Sequence, residues 1–326
     1  MSQPLTWVLV GERTGDNNQV MALAEGLGYP FEVKDLRYNL WRALSTRLQA
    51  TLLTTTPTSR RQLTPPWPDL IIAIGRRSVP IARWIRKQND GRSKIVLIGH
   101  PRQDPSLFDL VITTRQYPVP PGDNVLVLPV SVSRHAEPPV PTAEEAIWLD
   151  GLERPRRVLA IGGATKYWVM RPGTVADALR HLLERDGSVI VAPSRRTDPE
   201  VLEAVKDAMV AGRTKMLDGK VPRFATVLGD ADEIYVTGDS VSMLSEAIAL
   251  GKPVGIVPIE RNRKGLRQLG SDGPHSSGPD LRRRDLRRFW NYLSEEGLAG
   301  TVERPSVGRK VDALAMAVER VRALFA

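Results

Sequence analysis

Short apolar runs alternate along the chain with segments whose apolar residues recur at helical spacing, and most of the runs end in loops rich in Gly, Asp, Ser, Thr and Arg. Short runs bounded by turn residues fit buried strands, and recurrence at i, i+3 and i+4 fits helices with one apolar face. The pattern predicts strands at 7–10, 29–36, 69–74, 94–98 and 110–113, with helices at 20–27 and 79–88. It breaks between 129 and 155, where Pro138, Pro139 and Pro141 interrupt regular structure around a short helix at 143–151. It then restarts, with strands at 157–161 and 188–192, helices at 174–185 and 199–210, a further segment at 221–228, and a closing helix at 314–324. Alternation of this kind predicts an α/β fold of mostly parallel sheets covered on both faces. The organisation it implies is a Rossmann-like domain over 1–135, a linker over 136–155, and a second Rossmann-like domain over 156–326, the last helix returning to the first domain. Two doubly wound domains of this kind face each other across a cleft, and ligands of open parallel sheets lie at the carboxyl ends of the strands.

The segment 234–258, IYVTGDSVSMLSEAIALGKPVGIVP, is the most informative. A strand ends at Gly238-Asp239-Ser240, a helix opens on hydroxyl residues, and Gly251-Lys252-Pro253 leads into another strand. Backbone N–H groups and the positive end of the helix dipole point outward at such a mouth and suit an anion. Asp239 or Ser240 is the expected N-cap, with Ser242 and Ser245 one turn further in and Glu246 beyond them. The plainer alternative is a capped surface helix with a solvated Glu246. Two further loops of the same domain follow strands: Gly162-Gly163-Ala164-Thr165 and Ser194-Arg195-Arg196-Thr197. Small residues let backbone amides approach a phosphate, and guanidinium forks grip one bidentately. Glu246 is placed to accept bonds from the two hydroxyls of a ribose, so the three loops together point to a nucleoside diphosphate.

Composition narrows the picture. The chain has 326 residues, 41% of them hydrophobic and 25% charged, which describes a globular protein of about two domains. No apolar run reaches the roughly 20 residues of a spanning helix, and the first residues lack the pattern of a signal peptide, so a cytoplasmic protein is expected. The absence of cysteine excludes disulfides, thiolate metal sites and cysteine nucleophiles. Lys and Arg exceed Asp and Glu by 46 to 37, for a formal charge of +9, which favours anionic partners. Arg282, Arg283, Arg284, Arg287 and Arg288 form a basic run beside Phe289, Trp290 and Tyr292. One expectation is that this run docks on an anionic membrane at the inner face, with the aromatics inserting; a solvated helix face and a buried aromatic cluster are the alternatives. No module for reading nucleic acid is present, so such a partner is not expected.

In the first domain the loop Gly11-Glu12-Arg13-Thr14-Gly15-Asp16-Asn17-Asn18-Gln19 follows a strand. Asn17, Asn18 and Gln19 have the donors and acceptors to read sugar hydroxyls on the acceptor side. Asp16 or Glu12 is a candidate general base, although Asp16 as a helix cap and Glu12 in solvent is the plainer assignment. His100, at another strand end, is the next candidate base. The four histidines, His100, His135, His181 and His275, have no metal-ligand spacing, so neither a metal nor a cofactor is expected. Dinucleotide and P-loop fingerprints are absent.

The motifs GERTGDNNQ, PSRRT and TGDSVSMLSEAIALGKPV, in this order, resemble the Elm-one-like family, named for a plant mitochondrial fission factor. The resemblance covers most of the chain and implies a GT-B architecture, the two-Rossmann-domain fold of many glycosyltransferases. The last motif is similar to the donor-binding segment of GT-B enzymes such as the glucosaminyltransferase that makes lipid II. That similarity implies a ribose-binding role for Glu246 and a diphosphate-facing role for Ser240 and Ser242. Gly162-Gly163 matches their Gly-Gly-Ser phosphate loop except that Ala164 replaces the serine, which removes a side-chain contact. The expected activity is a metal-independent glycosyltransferase using a nucleotide-diphosphate sugar, with a lipid or envelope component as acceptor. In it Arg195 or Arg196, with the Gly162 loop, holds the diphosphate. The plant relatives are described as adaptors for a dynamin-like protein, so the alternative is a non-catalytic binding protein with a protein partner on the same scaffold.

Overall fold

The computed structural model describes residues 3–12, 14–44, 48–133, 138–219, 221–269 and 283–326. Within the chain there are two compact units, Met1–Arg134 with Asp312–Ala326, and His135–Val311.

The first unit holds β1 (Thr6–Val10), α1 (Thr14–Leu27), β2 (Phe31–Asp35), a 3-10 turn at Leu40–Leu44, α2 (Pro57–Arg61), β3 (Leu70–Ile74), α3 (Gly75–Gln88), β4 (Lys94–Ile98), β5 (Leu110–Thr114) and β6 (Val125–Leu128). The sheet is parallel throughout and ordered β2-β1-β3-β4-β5-β6. Its central strands read as unbroken apolar runs because both faces are covered: Ile71, Ile72, Ile95, Val96 and Leu97 are fully buried. Trp7 stacks obliquely on Trp67 at 5.7 Å, and Trp67 meets Trp84 edge-on at 5.8 Å, which closes one face. The winding reverses between β1 and β3, so the crevice of this sheet opens beside Gly11 and Gly75.

The second unit holds α4 (Ala143–Asp150), β7 (Arg156–Ile161), β8 (Trp168–Val169), α5 (Pro172–Leu183), β9 (Ser188–Pro193), α6 (Pro199–Asp207), β10 (Thr214–Met216), α7 (Phe224–Asp230), β11 (Glu233–Thr237), α8 (Val241–Ala249), β12 (Val254–Val257), β13 (Glu260–Arg261), α9 (Arg263–Leu269) and α10 (Leu286–Glu295). Its main sheet is again parallel, ordered β10-β9-β7-β11-β12, while β8 and β13 pair antiparallel outside it. Here the winding reverses between β7 and β11. A last helix, α11 (Ala313–Arg322), belongs to the first unit and packs on α1. Gly26 makes that approach possible, since a Cβ there would lie 3.0 Å from Val318.

The observed elements differ from the expected ones mainly at helix starts. α1 begins at Thr14 and α3 at Gly75, ahead of the expected 20 and 79. Those first turns are polar because they emerge from the carboxyl edge of the sheet, where no apolar face is required, and a hydrophobic period registers only the buried remainder. Segment 221–228 contributes to the helix α7, and β6, β10 and α10 appear where no element was expected. His135, His275 and Arg282 lie outside the described residues.

The amino end of the second sheet is tied by charge. Arg157, with its side chain 2% exposed, donates to the Asp186 carbonyl at 2.6 Å and pairs with Glu233 at 3.3 Å. Glu233 also accepts from the Tyr235 hydroxyl at 2.6 Å and from Arg185 at 2.8 Å. Burial alone would raise the Glu233 pKa, but Arg185, Tyr235 and Arg157 together hold it below its ordinary value. Glu233→Ala would leave Arg157 buried without a counter-charge, and a loss of about 3 kcal/mol is expected in urea unfolding at neutral pH.

Candidate functional site

The three loops singled out in the second unit follow β7, β9 and β11, which are adjacent strands, so they share one edge of one sheet. Asp239 joins them. Its Oδ2 accepts from the Gly163 N–H at 2.9 Å and lies 3.4 Å from Arg196 Nη2, and its Oδ1 accepts from the Thr237 hydroxyl at 2.7 Å. Thr237 Oγ1 in turn accepts from the Gly162 N–H at 2.8 Å. The Asp239 side chain is 1% exposed, and burial raises its pKa against the lowering effect of Gly163, Thr237 and Arg196. A carboxylate therefore spans the crevice between β7 and β11. Gly162 and Gly163 are glycines for a steric reason, since a Cβ on Gly162 would fall 2.2 Å from Asp239 Oδ2 and one on Gly163 would fall 1.9 Å from the Arg196 carbonyl oxygen.

The arginine loop is tied to the glycine loop as well. The hydroxyls of Ser194 and Thr197 donate to the Gly162 carbonyl at 3.0 and 2.8 Å, and the Ser194 N–H donates to Thr197 Oγ1 at 2.9 Å. Arg195 and Arg196 are exposed, whereas Thr165 closes its own turn through its N–H to the Trp168 carbonyl at 2.9 Å. Ser240 is the N-cap of α8, is buried, and makes no side-chain capping bond; Ser242 is half-buried in the first turn. The expected Asp239 cap is thus replaced by the bond to Gly163.

Glu246 lies within α8, half-buried, and no hydrogen bond or ion pair to it exists among the described residues. Burial alone raises its pKa from the ordinary 4.5 to about 7. A half-buried carboxyl group of this kind differs from the solvated glutamate of a plain surface helix.

In the first unit the carboxyl edge is likewise tied across its crevice. The Asn17 side-chain amide bonds both polar atoms of Gly11, Oδ1 accepting from its N–H and Nδ2 donating to its carbonyl, each at 2.8 Å. Glu12 pairs with Arg42 at 3.3 Å and with Arg77 at 3.4 Å. Gln19 reaches the Gly15 carbonyl at 3.4 Å, Asn18 is exposed, and Asp16 sits half-buried in the first turn of α1. Burial first, and Arg102 second, lower the His100 pKa to about 4, so this imidazole is a weaker proton acceptor than an ordinary histidine. Among the described residues no group of three or more His, Asp or Glu is arranged to hold a metal ion, and no helix is long and apolar enough to cross a membrane.

Two features escaped the sequence reading. Thr237 is the hydroxyl that completes the carboxylate clamp, and Trp290 donates from Nε1 to the Gly238 carbonyl at 2.9 Å while stacking edge-on against Trp168 at 4.8 Å. A Cβ on Gly238 would lie 2.8 Å from the Trp290 ring, so the glycine between strand and clamp is a signal that a large side chain covers it. This corrects the expectation that the aromatics of 289–292 insert into a membrane: Phe289 is fully buried and Trp290 is spent on the site loop. Arg287 is gripped by Asp285 at 2.7 Å and by the Leu269 carbonyl at 2.6 Å, which removes it from the expected basic run.

The model of the family described as mitochondrial fission ELM1 matches residues 14–272. The chain belongs to that family. It is 29% identical over 240 residues to the mitochondrial fission protein ELM1 of Arabidopsis thaliana, a match covering 62% of this chain and 56% of the plant protein. The chain thus spans about half the length of that relative. An uncharacterized protein of Rickettsia prowazekii is 25% identical over 300 residues, covering 77% of this chain and 82% of its own length. Among solved structures, UDP-GlcNAc 2-epimerase from Neisseria meningitidis bound to UDP-GlcNAc aligns with a TM-score of 0.51 at 12% identity, covering 98% of this chain and 99% of that one. CalG4, the calicheamicin glycosyltransferase, aligns with a TM-score of 0.50 at 13% identity, covering 99% and 91%. At these identities the similarity shows the fold, and that fold is GT-B-like.

The lone carboxylate carries a pH signature. Between pH 4.5 and about 7 folded Glu246 retains a proton that the unfolded chain has lost, so stability declines as pH rises through that window. Glu246→Gln is expected to be more stable than the parent protein above pH 7, by on the order of 2 kcal/mol allowing for partial exposure, and no different below pH 4.5. Thermal melts over a pH series measure both limits.

Proposed function

We propose that the second unit binds a nucleotide-diphosphate sugar, with Glu246 receiving the ribose hydroxyls. The observation that carries this is the half-buried carboxylate of Glu246, which has no partner among the described residues and lies on the helix that follows the clamped Gly238-Asp239-Ser240 turn. Hydroxyl donors satisfy such a group, and satisfying it recovers the cost of its burial. Arg195 and Arg196 supply the charge for the diphosphate, Arg196 exchanging its long contact with Asp239 for a phosphate oxygen. If sugar transfer follows, the same guanidinium groups stabilise the negative charge that grows on the leaving diphosphate. The epimerase bound to UDP-GlcNAc among the structural neighbours supports the ligand class.

Titration calorimetry with a panel of nucleoside diphosphates and their sugar conjugates tests the reading. At least one is expected to bind, and Glu246→Ala is expected to weaken it at least tenfold, the scale of losing a hydrogen bond to a charged group. Absence of binding across the panel, or affinity indifferent to that substitution, would sink it.

One observation favours a second reading, a binding or adaptor protein without turnover. The Gly162 and Gly163 amides, which the sequence reading offered to a phosphate, already donate to Thr237 and Asp239. An internal carboxylate in the place of an anion lowers the need for a ligand there, and membership of a family named for mitochondrial fission points the same way. Nucleotide binding without hydrolysis or transfer over a range of hydroxyl acceptors would favour this second reading, and sugar turnover would exclude it.

A further inference from the structure

Three large apolar side chains of the first unit stand in solvent: Leu40 is 94% exposed, Trp41 63% and Leu53 59%. They belong to two segments held together by Asn39. Its N–H donates to the Thr54 carbonyl at 3.0 Å and its Nδ2 to the carbonyls of Leu53 at 2.7 Å and Thr55 at 3.2 Å, while its Oδ1 accepts from the Trp41 N–H at 3.0 Å. Tyr38 and Thr55 add an antiparallel bridge. Backbone and side-chain bonds thus fix the apolar group where it is, and its exposure is not that of a loose end. Between Asp35 and Asp69 the sequence contains five arginines and no acidic residue. Arg37 and Arg61 of this stretch are exposed; Arg37 has Asp35 at 3.4 Å in an open pair that water screens, and Arg42 is turned toward Glu12.

We infer that this face docks on an anionic lipid surface, with Leu40, Trp41 and Leu53 entering the boundary between headgroups and acyl chains and Arg37 and Arg61 meeting lipid phosphates. Tryptophan is suited to that boundary because its ring is apolar and its N–H polar, and exposed aliphatic neighbours add depth. The one-sided charge of the stretch complements an anionic headgroup layer, where each arginine contributes about 1 kcal/mol, or roughly a fivefold gain in affinity. This surface lies on a different unit from the arginine run of 282–288, beside which Phe289 is buried and Trp290 is bonded to Gly238.

Co-sedimentation of the full chain with vesicles, either phosphatidylcholine alone or with a quarter phosphatidylglycerol, is the test. Binding is expected only to the anionic vesicles. Leu40→Ser with Trp41→Ser should lower the affinity at least tenfold, Arg37→Gln with Arg61→Gln about twenty-five-fold, and neither pair should move the thermal midpoint because the replaced atoms are exposed. No binding to either vesicle, equal binding to both, or binding untouched by both pairs would overturn the proposal. So would binding to polyglutamate with none to vesicles, which would assign the face to an acidic protein instead.

Discussion

The bonds made by the Asp239 carboxylate govern the second unit. One oxygen takes the Gly163 amide and faces Arg196, the other takes the Thr237 hydroxyl, and the Thr237 oxygen holds the Gly162 amide. Three loops from adjacent strands are thereby set in register by a single buried charge. Such a charge is tolerated only where donors surround it, and here they are backbone amides, a hydroxyl and a guanidinium. The steric demands follow from it: glycine at 162 and 163 because the carboxylate and the arginine loop leave no room for a side chain.

The first unit bridges its crevice with an exposed ion pair instead. Asn17 closes both polar atoms of Gly11, and Glu12 reaches across to Arg77 at the start of the helix after β3. In each unit the crevice where the winding reverses is crossed by side chains from the neighbouring strand ends, which stiffens the edge at which ligands of such sheets lie. Glu246 stands apart from this economy of satisfied groups. Its pKa is raised to about 7 by burial, and among the described residues no hydrogen bond or ion pair offsets that burial, in contrast to Asp239.

Much of the fold was legible because buried parallel strands must be apolar on both faces, as in β3, β4 and β7, and because turn residues punctuate them. The starts of α1 and α3 were not legible, since their first turns are polar and lie at the sheet edge, beyond the reach of a hydrophobic period. The three loops of the second unit were identified as neighbours, yet what joins them was not. Asp239 reads as a helix cap from its position after a strand, and only the approach of Gly163, distant in sequence, gives it another partner. Trp290 reads as an interfacial aromatic beside arginines, and its burial depends on Gly238 lying beneath it.

The amino-acid sequence by itself therefore determined the class of fold, because alternating strands and helices are set by local periodicity and by turn residues. Tertiary structure alone decided which polar groups are already satisfied. Asn17, Asp239, Arg287 and Trp290 look available in the sequence and are engaged in the fold, whereas Glu246 has no hydrogen bond or ion pair among the described residues and the Leu40 and Trp41 side chains, which the sequence pattern did not single out, stand exposed. The physical reason is that a hydrogen bond or an apolar contact is made between groups far apart along the chain, so whether a side chain is free cannot be read from its neighbours in sequence.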